Sequence, residues 1–388
     1  MALRGTNQEF GRPYNRRIVL EAVRLYGPTT RGHIAQQVGL TVQTVSTIVR
    51  ELEEQGFLLT EKKEPRGRGL PPTTLRLNPD GGYAIGVHVT PLGVDVGLID
   101  LNGDVVASRT RAIADMSPDQ AFAEIRDLSA ELRAERPDSR MLGVGMALPG
   151  PFDITAMSFV GPTTLRGWGG VNLRQRLTEA TGLPAFIEVD MAAAALGERL
   201  YGAGGAYPNF YYLFFGFGLG GAMVHDGAVL RGAWGNAGEI GHMPVVLDGE
   251  ACPCGNHGCL ERYVSLEAFN RRPPGTSETD WARMVAPMFR AAVTTVENLF
   301  DPQTVIIGGL APVSLLSALI DTTQQLPNSV SARSDRQAPR VILSDGGADT
   351  VLRGAAALAV SGVLSPRFGQ LFAGDGKDHD PLSKRIAA

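Results

Sequence analysis

The chain has 388 residues, 44% of them apolar and 20% charged, an ordinary globular composition with length for two or three domains and a core that needs no staple. Three cysteines are too few and odd in number for a secreted disulfide framework. No apolar run reaches membrane-spanning length and residues 1–12 are polar, so a cytoplasmic protein is expected. The net charge of -4 argues against a general nucleic-acid binder, yet residues 1–77 carry 12 Lys or Arg against 7 Asp or Glu, a basic head on an acidic body.

Chance variation of a solvated surface gives the same arithmetic, so pattern must decide. Asn15 to Tyr26 carries Ile18, Val19, Ala22, Val23, Leu25 and Tyr26 at helical spacing, and Gly27-Pro28 stops it. Arg31 to Val38 reads as a second short helix with Ile34, Ala35 and Val38 inward, and Gly39 suits the turn that follows. Thr41 caps a third helix from Val42 to about Gln55, whose apolar stripe is Val45, Ile48, Val49 and Leu52. Gln43, Thr44, Ser46, Thr47 and Arg50 remain on or near its open face. Short polar groups with one long cation suit a helix entering a major groove about 12 Å wide, although plain solvent exposure would look the same. Phe57-Leu58-Leu59 opens a strand, and Leu75 and Leu77 fit its return. Arg66-Gly67-Arg68-Gly69 lies at the tip between them, where Arg66 and Arg68 can meet phosphates or a minor groove. The combination predicts a winged helix-turn-helix over residues 1–77 that binds double-stranded DNA. A winged-helix protein-interaction module is the competing reading. Asn78-Pro79-Asp80-Gly81-Gly82 collects turn formers and places a boundary before a second unit, residues 78–388.

That second unit alternates strands and helices. Strands are expected at Tyr83 to Val89, Val94 to Leu101 and Asp104 to Arg109, with Asn102-Gly103 as a hairpin turn. A helix from Pro118 to about Glu135, a strand from Met141 to Leu148, a helix from Asn172 to Thr181 ended by Gly182, and a strand from Ala185 to Val189 follow. Asp190 to Leu200 is an Ala-rich helix with its acid at the favourable end of the dipole. Phe210 to Phe215 and Ala222 to Val224 make a second meander. Helices at Trp281 to Phe300, Leu315 to Gln325 and Thr350 to Ser361 alternate with strands at Thr304 to Ile307 and Val341 to Leu343. The alternation predicts a mixed-sheet α/β body of two lobes. The second meander hints that one lobe repeats the other. The polar tail after Gly374 is expected to fray.

All three cysteines fall in Cys252-Pro253-Cys254-Gly255-Asn256-His257-Gly258-Cys259. Thiolates are soft ligands, and one imidazole would complete a tetrahedral, structural Zn2+ site. His242, upstream, and His257, inside the loop, are both candidates, and spacing does not choose between them. Three buried or redox-active thiols are the alternative.

With Gly238-Glu239-Ile240-Gly241-His242 and the stretch from Cys252 to Glu261, the chain resembles the ROK family of sugar kinases and sugar-responsive repressors. Ala147 to Gly150, Gly170 to Leu173, Gly182 to Pro184 and Ile306 to Gly309 extend the match over nearly the whole chain. The resemblance implies a two-lobed ribonuclease-H-like (actin-like ATPase) α/β body. It implies zinc on His242, Cys252, Cys254 and Cys259. It places Asp190 as the counterpart of a catalytic base and Glu239, His242 and Glu261 as holders of sugar hydroxyls in the cleft between lobes. Read alone, Asp190 is a helix cap.

The kinases of that family open the body with an Asp-x-Gly-Gly-Thr-Lys turn. Here His88-Val89-Thr90-Pro91-Leu92-Gly93 stands in its place, without the acid, the paired glycines or the lysine. In the second phosphate segment, Gly216 to Gly221, Phe217 replaces a hydroxyl residue. Val189 and Ala192 replace asparagines of the sugar pocket. A base without a phosphate cradle gives little rate. The expectation is therefore a regulator and not an enzyme: a repressor of carbohydrate-related genes whose operator affinity answers to a sugar or sugar derivative. It is expected to be a homo-oligomer, dimer or tetramer, because one winged helix covers a short half-site. The alternatives are an ATP-dependent sugar kinase working through Asp190 and a ligand-free architectural protein.

Overall fold

The computed structural model describes residues 11–62, 73–153, 158–159 and 165–364. The head holds helices α1 (Gly11–Tyr26), α2 (Arg31–Val38) and α3 (Val42–Glu54), followed by the antiparallel pair β1 (Leu58–Lys62) and β2 (Thr73–Leu77). Local chemistry sets the boundaries. The Thr30 and Thr41 hydroxyls accept from His33 N and Thr44 N at the starts of α2 and α3, and Gly39 ends α2 at φ 69°. The apolar stripes read from the sequence, Ile34, Ala35 and Val38 on α2 and Val45, Ile48, Val49 and Leu52 on α3, are buried. The first helix begins earlier than Asn15. The wing tip with Arg66 and Arg68 and the tail after Gly374 lie outside the described residues.

The body contains two five-stranded sheets of one design. The first is built from β3 (Tyr83–Thr90), β4 (Gly93–Asp100), β5 (Val105–Ala112), β6 (Met141–Leu148) and a later strand, Ala185–Val189. Helices α4 (Pro118–Ala134) and α5 (Leu173–Thr181) belong to this lobe, and a short antiparallel pair, β7 (Phe152–Asp153) and β8 (Ser158–Phe159), precedes α5. With Ala185–Val189 as β9, the order is β5-β4-β3-β6-β9. The second sheet comprises β10 (Phe210–Phe215), β11 (Leu219–His225), β12 (Ala228–Val229), β13 (Thr304–Gly309) and β14 (Val341–Leu343), in the order β12-β11-β10-β13-β14. Each sheet has three antiparallel strands and then two parallel ones. The repetition hinted at by the second meander is thus complete at the level of topology. Helices α7 (Leu266–Asn270), α8 (Glu278–Phe300) and α9 (Val313–Asp321) belong to the second lobe.

Each repeat ends in a crossing helix, α6 (Asp190–Tyr201) after β9 and α10 (Thr350–Leu364) after β14. Both are rich in small residues, and their backbones meet: a Cβ on Gly354 would strike the Ala193 carbonyl, and one on Gly197 would meet Thr350 O and Gly354 N. The pair forms the spine between the lobes.

Head and body share one core. Head residues such as Ile18, Val49 and Leu58 cluster with Ala84, Ile99 and Leu142 of the first lobe and with Val360 and Leu364 at the end of α10. Residues 78–82 form a 3-10 turn with Gly81 and Gly82 buried. Arg140 ties the two sides together. Its guanidinium lies 4.5 Å over the Phe57 ring and donates to Gln55 O and Gly81 O, each at 3.1 Å.

Candidate functional site

Two sites emerge, one on the head and one in the cleft. On α3, Gln43, Thr47 and Arg50 are exposed, and Thr44 and Ser46 are half-buried. The hydroxyls have local partners: Thr44 meets Thr41 at 2.9 Å, Ser46 donates to Val42 O at 2.7 Å, and Thr47 donates to Gln43 O at 3.2 Å. This leaves the longer Gln43 and Arg50 side chains as the groups best placed to reach outward. Two acids on the same helix are paired, Glu51 with Arg16 at 2.6 Å and Glu53 with Arg31 at 3.5 Å.

In the cleft, Asp190 is the first residue of α6, set there by the C-terminal end of β9, and its Oδ1 accepts from Met191 N at 2.7 Å. Val189 takes the cap position without a side-chain hydrogen bond, so Asp190 is the first helical residue and not the cap. Desolvation pushes the Asp190 carboxyl up to about 7, with neighbouring Glu239 adding to the rise and the Met191 amide opposing it. Glu239 precedes a 3-10 turn, Ile240–His242, that lies directly against β11. Only glycine permits this approach, since Gly238 has φ 109° and a Cβ there would strike the Gly221 carbonyl. Burial raises the Glu239 carboxyl, His242 opposes the shift, and Glu261 adds to it. The His242 ring joins the acids: Nε2 lies 3.8 Å from Glu239 and Nδ1 lies 3.5 Å from Glu261. Asp190, Glu239, His242 and Glu261 thus form one linked constellation. Val189 is buried beside Gly150 and offers no hydrogen bond to the cleft.

The same His242 belongs to the cysteine cluster. Its Nδ1 and the Cys252 Sγ are 3.6 Å apart, Cys254 Sγ and Cys259 Sγ are 3.7 Å apart, and all four ligand atoms lie within 4.8 Å of one another. A tetrahedron with metal–sulfur bonds near 2.3 Å and a metal–nitrogen bond near 2.0 Å has edges of roughly 3.5 to 3.8 Å, so this donor set can coordinate a metal. His257 is exposed and outside the set, which leaves His242 as the imidazole. Gly258, at φ 72°, brings the loop's backbone against Val246 O, where any side chain would clash.

The turn facing the cleft from the first sheet is closed. Thr90 pairs with Gly93, so only Pro91 and Leu92 lie between the strands. The Thr90 hydroxyl takes the Leu92 amide at 3.2 Å and donates to Gly93 O at 3.3 Å. Pro91 has no amide hydrogen, so the turn presents no ready cradle for a phosphate. His88, where the kinases carry an acid, is buried, and that burial lowers its imidazole to about 4. Among the described residues its Nε2 has no hydrogen-bond partner. A buried, neutral ring therefore stands next to this turn. In the equivalent turn of the second sheet, Gly216 O and Phe217 O accept from Leu266 N and Glu267 N at the start of α7. Gly218 lies beside the Glu261 carboxylate.

A winged-helix head on a duplicated two-lobed body, with a histidine shared between cleft acids and a cysteine cluster, defines the class as a ROK-type protein with a DNA-binding domain. The chain belongs to the ROK family, whose model matches residues 84–361, and the winged helix-turn-helix DNA-binding model matches residues 13–58. It is 28% identical over 265 residues to the xylose repressor of Bacillus subtilis (strain 168), covering 68% of each chain. A solved ROK family transcriptional regulator, a homolog of the E. coli MLC protein, superposes with a TM-score of 0.71 at 23% identity, over 93% of this chain and 98% of that one. A ROK family glucokinase from Streptomyces griseus, solved with glucose and AMPPNP, superposes with a TM-score of 0.63 at 25% identity, over 72% of this chain and 100% of the other. No described helix is long and apolar enough to cross a membrane.

Proposed function

We propose that the protein is a DNA-binding transcriptional repressor of carbohydrate-related genes, with residues 1–77 as the operator-binding unit and residues 78–388 as the unit that senses a sugar or sugar derivative. One observation carries the reading: the cleft keeps four linked polar groups suited to hydroxyls while the turn that would hold a nucleotide is closed by Thr90 and Pro91. The similarity to a xylose repressor, and the fold shared with a regulator bearing the same head, support it.

In this reading Asp190, Glu239, His242 and Glu261 hold the effector. Gln43, Thr44, Ser46, Thr47 and Arg50, with Arg66 and Arg68 of the wing, contact DNA. The metal is a structural Zn2+ on His242, Cys252, Cys254 and Cys259. Protein ligands fill all four positions, so the ion supplies rigidity to the loop and no reactive water. Its bond to Nδ1 leaves the Nε2–H of His242 facing Glu239 and the cleft, a fixed tautomer for a sugar oxygen. A homo-oligomer, dimer or tetramer, sets two heads on two half-sites.

The test is a duplex selected by the protein from a random pool, with affinity measured with and without D-xylose, D-glucose or N-acetyl-D-glucosamine. One sugar is expected to change affinity at least about fivefold, and Arg50→Ala is expected to weaken binding by about 1–3 kcal/mol. Sugar-dependent ATP turnover that Asp190→Asn abolishes would replace this reading with the kinase one, which the near-neutral carboxyl of Asp190 favours.

A further inference from the structure

The two walls of the cleft come from different lobes. Asp190 follows β9 of the first sheet, and Glu239 follows β12 of the second. Whatever ties the end of β9 to the segment after β12 therefore sets the space between these two acids. Glu188, the next-to-last residue of β9, makes that tie. Its side chain is 3% exposed, and each carboxylate oxygen has its own partner. Oε1 accepts from Val189 N at 3.1 Å, one residue before Asp190. Oε2 accepts from Arg231 of the second lobe, whose Nε lies at 2.8 Å and whose Nη2 lies at 2.7 Å. Two nitrogens on one oxygen fix direction as well as distance.

From Arg231 the chain reaches Glu239 through a loop that closes on itself. Ala237 N donates to Arg231 O at 3.2 Å, and a Cβ on Gly232 would lie 3.2 Å from the Ala237 Cβ. On the entry side Leu230 N donates to Met223 O at 2.7 Å, and on the exit side Gly238 O accepts from Gly221 N at 2.9 Å. Both ends of the loop are thus fastened to β11, and the guanidinium sits on a stiff frame whose far end is Glu239. An unbroken line of bonds runs from Val189 through Glu188, Arg231 and Ala237 to Gly238, with one cleft acid attached at each end. A carboxylate buried this deeply keeps its desolvation cost if the cation leaves, so the pair holds or fails as a unit.

We propose that Glu188 and Arg231 are positioning residues of the effector site: their ion pair across the lobes sets the separation of Asp190 from Glu239, and through it the affinity for a sugar. This rests on the effector reading above. Glu188 is too buried to meet a ligand itself, so any effect of its substitution on sugar binding is transmitted through the acids beside it.

The test is calorimetry with D-xylose, D-glucose and N-acetyl-D-glucosamine on wild type, Glu188→Gln, Arg231→Met, Arg231→Lys, the Glu188→Gln/Arg231→Met double variant and Arg340→Met. Melting temperature and zinc content are measured on each. Arg340→Met is the control. Arg340 pairs with Glu297, which is 1% exposed, through Nε to Oε1 at 2.9 Å, beside the start of β13 and not at the cleft. Glu188→Gln and Arg231→Met are each expected to weaken binding of the sugar that wild type takes by about tenfold or more, and the double variant to lose no more than the worse single one, because both delete one contact. Arg231→Lys, which offers one nitrogen for two, is expected to weaken it by about threefold. Arg340→Met is expected to lower the melting temperature and leave sugar affinity unchanged. Wild-type sugar affinity in Glu188→Gln overturns the inference, as do multiplied losses in the double variant or an equal loss in Arg340→Met. Should the Gln and Met variants fail to fold, Arg231→Lys decides, and unchanged affinity there overturns the inference. In each of these cases wild type still binds sugar and the effector reading stands. A wild-type protein that binds none of the three sugars removes the effector reading and this inference together.

Discussion

At the scale of single residues the cleft depends on two groups with double duties. His242 places one ring nitrogen against the cysteine cluster and the other against Glu239, so in the proposed reading the effector-facing side takes its geometry from the metal-binding side. Asp190 is both the first residue of a helix and a carboxyl held near neutrality. Folded, it keeps its proton up to about pH 7, whereas the unfolded chain releases it near the ordinary carboxyl value of 3.8. Between those values the folded state binds more protons, so this group makes stability fall as pH rises through that window. Asp190→Asn is therefore expected to melt above wild type at pH 8, with the gain shrinking as pH falls toward 4. Equal melting temperatures at pH 8 would show that the carboxyl is not desolvated as described. The family resemblance singled out Asp190. Its raised protonation was not legible, since that comes first from burial in the folded cleft and then from Glu239, which only the fold brings alongside.

At the scale of elements, the loop from Gly238 to Arg262 packs Ile240, Met243, Val245 and Leu260 on the second-lobe core, and the proposed metal would fix the turn that carries the cysteines. Replacing Cys254 by Ser removes one of four donors. The expected outcomes are loss of the about one zinc ion per chain measured by elemental analysis, and a drop in sugar affinity of about tenfold or more, the usual scale for disturbed metal surroundings. Normal zinc content in that variant would exclude Cys254 as a ligand, and zinc loss with unchanged sugar affinity would separate the ion from the effector site. Much of this element could be read from spacing alone, because a Cys-x-Cys run with glycines and a third cysteine close by is a donor pattern suited to a metal. The choice of His242 over His257 could not, because both sit within reach along the chain and only the turn against β11 decides which ring faces inward. Similarly, Pro91 announced a defective phosphate turn, while the use of the Thr90 hydroxyl to consume the Leu92 amide required the paired strands.

At the scale of the molecule, the basic head and the acidic body share a continuous core, with α10 reaching from the spine between lobes into the head. Cores this continuous unfold together. Calorimetry of the full chain at saturating zinc is expected to give a single transition for head and first lobe, and Arg140→Ala is expected to lower it, through loss of the Phe57 contact and two carbonyl partners. An early, separate transition for the head would contradict the shared core.

The amino-acid sequence by itself determined the elements: caps at Thr30 and Thr41, apolar stripes on α2 and α3, alternating strands, and a cysteine cluster whose ligands lie close along the chain. These rest on interactions within a few residues, which local order encodes. The tertiary structure decided what joins those elements: the matching order of the two sheets, Glu198 bonded to Ser344 at a separation of 146 residues, and Arg140 over the Phe57 ring. Such pairs are selected by where whole sheets and helices come to rest, and burial of a polar group is satisfied there by whichever partner the packing delivers.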